Sequence, residues 1–165
     1  MPLRVRNRHR LKRKEIKSIL DELKNSFGSC FFNSNVSVEI GDVENFRVIL
    51  VDGEIDFLIH ENKVVFTLHG LNKYKLSDYF VVVDMGAVGF VTRGADIMTP
   101  GIVDADVNIR KDDFVWICDE KHRKPLAVGI ALINGEEMKS KKTGKAVKNI
   151  HYVGDKLWKT STLVT

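Results

Sequence analysis

Between Val81 and Phe90 the chain reads VVVDMGAVGF, a run of β-branched residues feeding a turn that carries Gly86 and Gly89. A strand that runs into a glycine-spaced turn can cradle a phosphate, because glycine lets backbone N–H groups approach an anion closely. The dinucleotide version needs three glycines spaced GxGxxG, then a long helix and an acid about 20 residues on. Here Met85 stands before Gly86, so only Gly86-x-x-Gly89 remains, and Gly94 and Pro100-Gly101 arrive too soon for a crossover helix. No Gly-Lys-Ser/Thr triplet exists anywhere, which removes the Walker loop.

The segment also reads as packing. A buried strand over 81–83 ends at Asp84, which can cap a helix of about two turns from Gly86 to Thr92. Ala87, Val88 and Val91 give that helix a small apolar face, and Gly94 supplies its C-terminal cap. Gly86, Ala87, Gly89, Gly94 and Ala95 carry little or no side chain, so backbone N–H groups there can meet phosphate or ribose, most readily at the helix N-terminus. Arg93 adds a planar guanidinium fork. Tight packing alone would account for the same glycines.

Charge is unevenly placed. The net charge of +4 hides a basic N-terminus, with Arg4, Arg6, Arg8, Arg10, Lys12, Arg13 and Lys14 ahead of the first acid, Glu15. A second island holds Lys139, Lys141, Lys142, Lys145 and Lys148 with no acid among them. Two concentrated basic patches on an otherwise nearly balanced chain point to a polyanion, and nucleic acid is the expected partner. Arg4, Arg6, Arg8, Arg10 and Arg13 are expected to act as a flexible arm that holds an RNA backbone without reading sequence, and Lys141, Lys142 and Lys145 as point charges on a loop.

Catalytic chemistry finds little to work with. The five histidines have no metal-ligand spacing among themselves or with the cysteines, and no serine sits at a small-residue elbow. Asp104, Asp106, Asp112 and Asp113 read as turn residues around Val107-Asn108-Ile109. Cys30 and Cys118 form no CxxC pair and read as small buried residues in a reducing compartment. No apolar run approaches the roughly 20 residues of a membrane span, and the basic N-terminus lacks the apolar core of a signal peptide. The protein is therefore expected to be non-enzymatic, cytoplasmic, and without cofactor, metal or membrane partner.

The elements that position these residues fall into two groups. At 165 residues, 44% hydrophobic and 29% charged, the chain can build one ordinary domain or two small ones. Leu11, Ile16, Ile19, Leu20, Leu23 and Phe27 recur at helical spacing and Gly28 closes that helix. Period two takes over from Val36 to Thr67, with strands Val36–Ile40, Arg47–Val51, Ile55–Ile59 and Lys63–Thr67 and hairpin turns at Asp52-Gly53-Glu54 and Glu61-Asn62. Polar Leu71–Asp78 reads as the joint. Short strands follow, at Phe114–Cys118, Leu126–Ile133, Ile150–Val153 and Lys156–Trp158, with a turn at Asn134-Gly135. A compact α+β domain over 1–77 and a small barrel or sandwich over 78–165 are expected.

A run of motifs carries a resemblance. Val83-Asp84-x-Gly86-Ala87, then Gly94-Ala95-Asp96-Ile97-Met98-x-Pro100-Gly101-Ile102, resembles the first half of a PUA domain, a small RNA-binding pseudo-barrel. Asp113-Phe114-Val115, Pro125-Leu126-Ala127-Val128-Gly129, Gly144-Lys145-Ala146-Val147 and His151-Tyr152-x-Gly154-Asp155-x-Leu157-Trp158 resemble its remaining strands, in order. With the basic helix and α+β unit ahead of it, the whole resembles archaeal relatives of the eukaryotic ribosome-associated factors of translation re-initiation and recycling, which place a pre-PUA domain before the PUA. Asp112 departs from that pattern, standing where the family usually has glycine.

The resemblance implies an α+β fold, a pre-PUA domain followed by a mostly-β PUA pseudo-barrel with short helices. It implies RNA binding at the short helix 86–92 and the strand after it, with tRNA, at its acceptor end, or small-subunit rRNA as partner. It also implies a separate initiation-factor-like protein as a further partner. The alternative is an RNA-targeting accessory subunit of a separate RNA-modification enzyme. Phe90, Phe114 and Trp116 are expected in the core rather than as stacking residues.

Overall fold

Two tight turns organise the first sheet. Asp52 and Gly53 both take positive φ (48° and 82°), as do Glu61 and Asn62 (47° and 65°). This is the two-residue hairpin geometry whose twist matches that of the flanking strands. The computed structural model describes residues 4–164, with side chains as far as Ser161. The turns connect β3 (Phe46–Val51), β4 (Glu54–His60) and β5 (Lys63–Phe66), and β2 (Val38–Val43) precedes them. All pair antiparallel in a five-stranded meander whose outer strand is β1 (Arg6–Arg10).

Strand β1 revises the expected flexible arm. Its five residues are exposed, yet they are hydrogen-bonded along β2. Gly41 makes the approach possible, since a Cβ there would stand 2.3 Å from Val5 Cγ1 and 3.1 Å from the Arg6 carbonyl. Arg8 then grips Glu39 with two hydrogen bonds of 2.8 and 2.9 Å, and Arg6 donates to the Glu44 carbonyl at 3.0 Å. The helix α1 (Arg13–Phe27) ends as expected at Gly28, which sits at φ 80° and donates to the Lys24 carbonyl.

The expected joint at Leu71–Asp78 is in its first half a helix, α2 (Leu68–Tyr74). The Thr67 hydroxyl accepts the Gly70 N–H and donates to the Ile55 carbonyl, so it caps the helix and ties it to β4 together. Leu68 and Leu71 are buried beneath an outer face polar enough to read as linker. Lys156–Trp158, expected as a strand, opens a helix instead, α5 (Lys156–Val164). Leu157 and Thr160 on α5 are fully buried, and the helix packs on α2, β4 and β2. The compact units are therefore 1–74 with 156–165, and 75–155. The C-terminal helix thus falls in the first compact unit, whereas the division expected from the sequence is 1–77 and 78–165.

The second unit is a six-stranded sheet in the order β7-β11-β10-β9-β6-β8, curled into a nearly closed barrel. Its strands are β6 (Phe80–Val83), β7 (Ile97–Met98), β8 (Ile102–Ala105), β9 (Phe114–Asp119), β10 (Pro125–Ala131) and β11 (Lys145–Tyr152). Only β6 and β9 run parallel; every other neighbouring pair is antiparallel. Valines 81 and 83, Val115, Ile117, Ala127 and Val147 fill the interior. The expected positive-φ turn at Asn134-Gly135 is instead the start of α4 (Gly135–Ser140): Asn134 is extended (φ −72°), and its N–H donates to Glu137 Oε1. Asp112 does adopt the left-handed conformation, at φ 76°, with its N–H on the Ala131 carbonyl.

Candidate nucleic-acid interface

The segment after β6 builds one wall of a cleft. Asp84 ends the strand with its N–H on the Gly101 carbonyl, and its Oδ1 accepts the Ala87 N–H at 2.9 Å. That bond closes a turn ahead of α3 (Val88–Val91) rather than capping the helix as expected. The N-cap is Ala87, without a side-chain cap, and α3 is a single turn rather than two because Gly86 and Ala87 are spent in the turn that precedes it. Ala95 N–H returns to the Phe90 carbonyl across Gly94 at φ 93°, closing the C-terminal end as foreseen.

Opposite lies the stretch from Asp96 to Gly101. Asp96 is fixed by the Asn149 N–H on Oδ1 (3.0 Å) and by Lys145 Nζ on Oδ2 (3.2 Å). The Asn149 side chain in turn donates to the Val91 and Ala95 carbonyls, pinning one wall to the other. Between the walls is a cleft of about 380 Å³, lined by Asp84, Gly86, Ala87, Phe90, Val91, Ala95, Asp96, Ile97, Met98, Pro100 and Gly101.

The expected site residues divide accordingly. Gly86, Ala87 and Ala95 line the cleft. Gly89 does not; its carbonyl accepts Arg93 Nε at 2.9 Å, and the guanidinium lies 5.5 Å from the centre of the Phe90 ring. Gly94 packs under Tyr152, whose ring would meet a Cβ at 2.8 Å. The lysine loop reaches the cleft, since Lys145 pairs in register with Met98 and the Thr99 N–H donates to the Gly144 carbonyl. Lys141 is held at 3.0 Å by Glu137, whereas Lys142 is exposed beside it. The Lys141 ammonium and the Asn134 N–H hold the Glu137 carboxyl below its ordinary range.

Two expectations change here. A phosphate at the N-terminus of the short helix has a competitor built in, because the Asp84 carboxylate already takes the Ala87 N–H. One helical turn also sums too few peptide dipoles to hold an anion well. Phe114 is buried and Trp116 is half-buried with its Nε1 on the Asp78 carbonyl, but Phe90 is 63% exposed. Met85 and Met98 are likewise exposed, at 44% and 45%. Sequence missed this because Phe90 stands directly before the buried Val91, and on a single turn an aromatic residue beside an apolar face reads as part of the core.

The basic N-terminal residues lie on the other unit. Arg4, Arg6, Arg8 and Arg10 are exposed on or before β1, and Arg13 opens α1. Arg8 is already neutralised by Glu39. Cys118 is buried as expected, and burial pushes its thiol up to about 11, which leaves it inert, whereas Cys30 is only partly buried.

The family model for the PUA domain matches residues 79–153, and that for a domain of unknown function, DUF1947, matches residues 7–74. An uncharacterized protein of Methanocaldococcus jannaschii is 46% identical over 158 residues, which cover 94% of this chain and 98% of that protein. Translation machinery-associated protein 20 of Saccharomyces cerevisiae is 32% identical over 124 residues, covering 72% of this chain and 68% of that protein. The chain belongs to their family of PUA-domain proteins. A crystal structure of a hypothetical protein from the hyperthermophilic archaeon Pyrococcus horikoshii superposes with a TM-score of 0.84 at 38% identity, over 93% of this chain and 99% of that one. The PUA domain is the barrel unit that carries the cleft, and DUF1947 coincides with the helix and meander that precede it. Among the described residues no helix is long and apolar enough to cross a membrane.

Proposed function

We propose that this PUA-domain protein is a non-catalytic, cytoplasmic RNA-binding factor of translation that engages the small ribosomal subunit, the tRNA acceptor end, or both. The observation that carries the reading is the cleft of the PUA unit, with an apolar floor, an exposed aromatic face and cations at its rim. Its chemistry suits a nucleoside more than a phosphate. Asp84 and Asp96 would repel an anion but accept hydrogen bonds from base N–H or ribose hydroxyl groups, and the Phe90 ring offers a stacking face. Phosphates would then lie outside, against Arg93, Lys142 and Lys145. The exposed Arg4, Arg6, Arg10 and Arg13 would add sequence-independent attraction from the N-terminal unit.

Translation is supported by the name of the yeast relative, which favours this role over that of an accessory subunit of an RNA-modification enzyme. A separate initiation-factor-like protein remains the partner that this reading calls for. The test is filter binding to deacylated tRNA, small-subunit rRNA and an unrelated hairpin across a salt series, beside Arg93→Glu and Lys142→Glu. Five phosphates neutralised on a single strand would give about a hundredfold loss between 50 and 200 mM salt. Preference for tRNA or rRNA that both substitutions abolish is the expected result. Equal binding to all three RNAs, untouched by either substitution, would overturn the assignment of the cleft.

A further inference from the structure

The N-terminal unit holds a second constellation that RNA binding does not use. Glu54 and Asp56 are two apart on β4 and so share a face of the strand. His69 and Lys73 are four apart on α2 and share a face of the helix. The two faces meet because Gly70 lets the helix touch the strand backbone: a Cβ there would stand 2.0 Å from the Asp56 carbonyl oxygen.

Each carboxylate has an outer and an inner oxygen. The outer ones are satisfied: Lys73 Nζ lies 2.6 Å from Glu54 Oε2 and 3.0 Å from Asp56 Oδ2, and the Tyr74 hydroxyl donates to that Oδ2 at 2.6 Å. The inner ones face His69, whose Nε2 lies 3.3 Å from Glu54 Oε1 and 3.7 Å from Asp56 Oδ1. Asp56 is fully buried, and its Oδ1 has no hydrogen-bond donor. A buried carboxylate oxygen left so is costly, and something must compensate it.

We propose that Glu54, Asp56 and His69 form a divalent transition-metal site that staples α2 to β4. The three ligand atoms all lie within 4.8 Å of one another. A tetrahedral ion with bonds of about 2.1 Å has ligand–ligand edges of about 3.4 Å, close to the two separations from His69. Lys73 and Tyr74, on the outer oxygens, orient the ligands as partners beyond the coordination sphere do in metal sites. One imidazole and two carboxylates, without thiolate, suit Zn²⁺, Co²⁺ or Mn²⁺ rather than a soft ion. His69 and Glu54 are partly exposed, at 25% and 36% of their side chains, so an ion has a path in from solvent.

The experiment uses the full chain after dialysis against a chelator. Co²⁺ is titrated in and followed by its visible d–d absorption, and Zn²⁺ is titrated calorimetrically, with thermal unfolding measured at each metal concentration. One equivalent is expected to bind with low-symmetry, tetrahedral-type absorption and to raise the unfolding temperature. His69→Gln and Glu54→Gln should each weaken binding at least tenfold while keeping the circular dichroism of the metal-free wild type. Absence of a stoichiometric uptake step would overturn the site. So would uptake undiminished in both variants, which would assign the metal to surface histidines such as His9, His60 or His122.

Discussion

Replacing Phe90 by leucine separates a stacking role from a packing one. The ring is 63% exposed, so little more than a third of it is hidden. For a side chain of about 200 Å² that is roughly 70 Å², worth at most about 2 kcal/mol at 25 cal/mol/Å². Leucine keeps most of that contact and loses chiefly the cation–π interaction with Arg93, about 0.5–1 kcal/mol at an exposed site. Folding stability should therefore fall by no more than about 1 kcal/mol, a shift of roughly 2–4 °C in Tm for a chain of this length. A base stacked on the ring loses about 1–3 kcal/mol, or roughly 5- to 150-fold in Kd, because leucine has no π face. Filter binding of tRNA and rRNA to the wild type, Phe90→Leu and Phe90→Trp reads this directly. Tryptophan should bind as tightly as phenylalanine or tighter. A Kd for Phe90→Leu within twofold of wild type, in a background where Arg93→Glu still weakens binding, would refute stacking and leave the cleft without its nucleoside.

Two further predictions concern the scaffold. Asp112 sits at φ 76°, so Asp112→Val should destabilise the protein by about 1–2 kcal/mol and Asp112→Gly should be neutral or stabilising, as read by urea denaturation. Arg8→Ala removes the hydrogen bonds that hold the Glu39 carboxyl below its ordinary range. A carboxyl whose pKa is depressed on folding contributes stability above its unfolded pKa and loses it as pH falls through the folded value. The Tm gap between wild type and Arg8→Ala, worth about 0.5–1 kcal/mol for so exposed a pair, should thus be full at pH 7 and shrink on acidification below about pH 4; a gap independent of pH would exclude the ion pair as its source.

Much of the architecture is local and could be read locally. Helix α1 announces itself through its apolar spacing and Gly28, and β3, β4 and β5 through alternation around turns that tolerate positive φ. The motif from Val83 to Ile102 marks the cleft because its small residues, its Asp84 turn and its Pro100-Gly101 turn are all short-range devices. Elements whose own residues read as polar show themselves only through distant partners. Strand β1 looks like a loose basic arm until Gly41 admits it beside β2. Helix α2 looks like linker because its Thr67 cap and its buried Leu68 and Leu71 depend on β4.

What the amino-acid order determined by itself is the helix, the hairpins, the barrel family and the two concentrations of positive charge, since propensity, turn geometry and charge act over a few residues. What only the tertiary structure decided is which side chains remain available. Phe90 is exposed although Val91 beside it is buried, Arg8 is neutralised by a residue 31 positions away, and Lys145 is drawn to Asp96 across 49. Glu54 and Asp56 meet His69 only because a glycine on α2 removes the one atom that would keep helix and strand apart. Burial and charge pairing are properties of surfaces in contact, and those contacts exist only once the chain has folded.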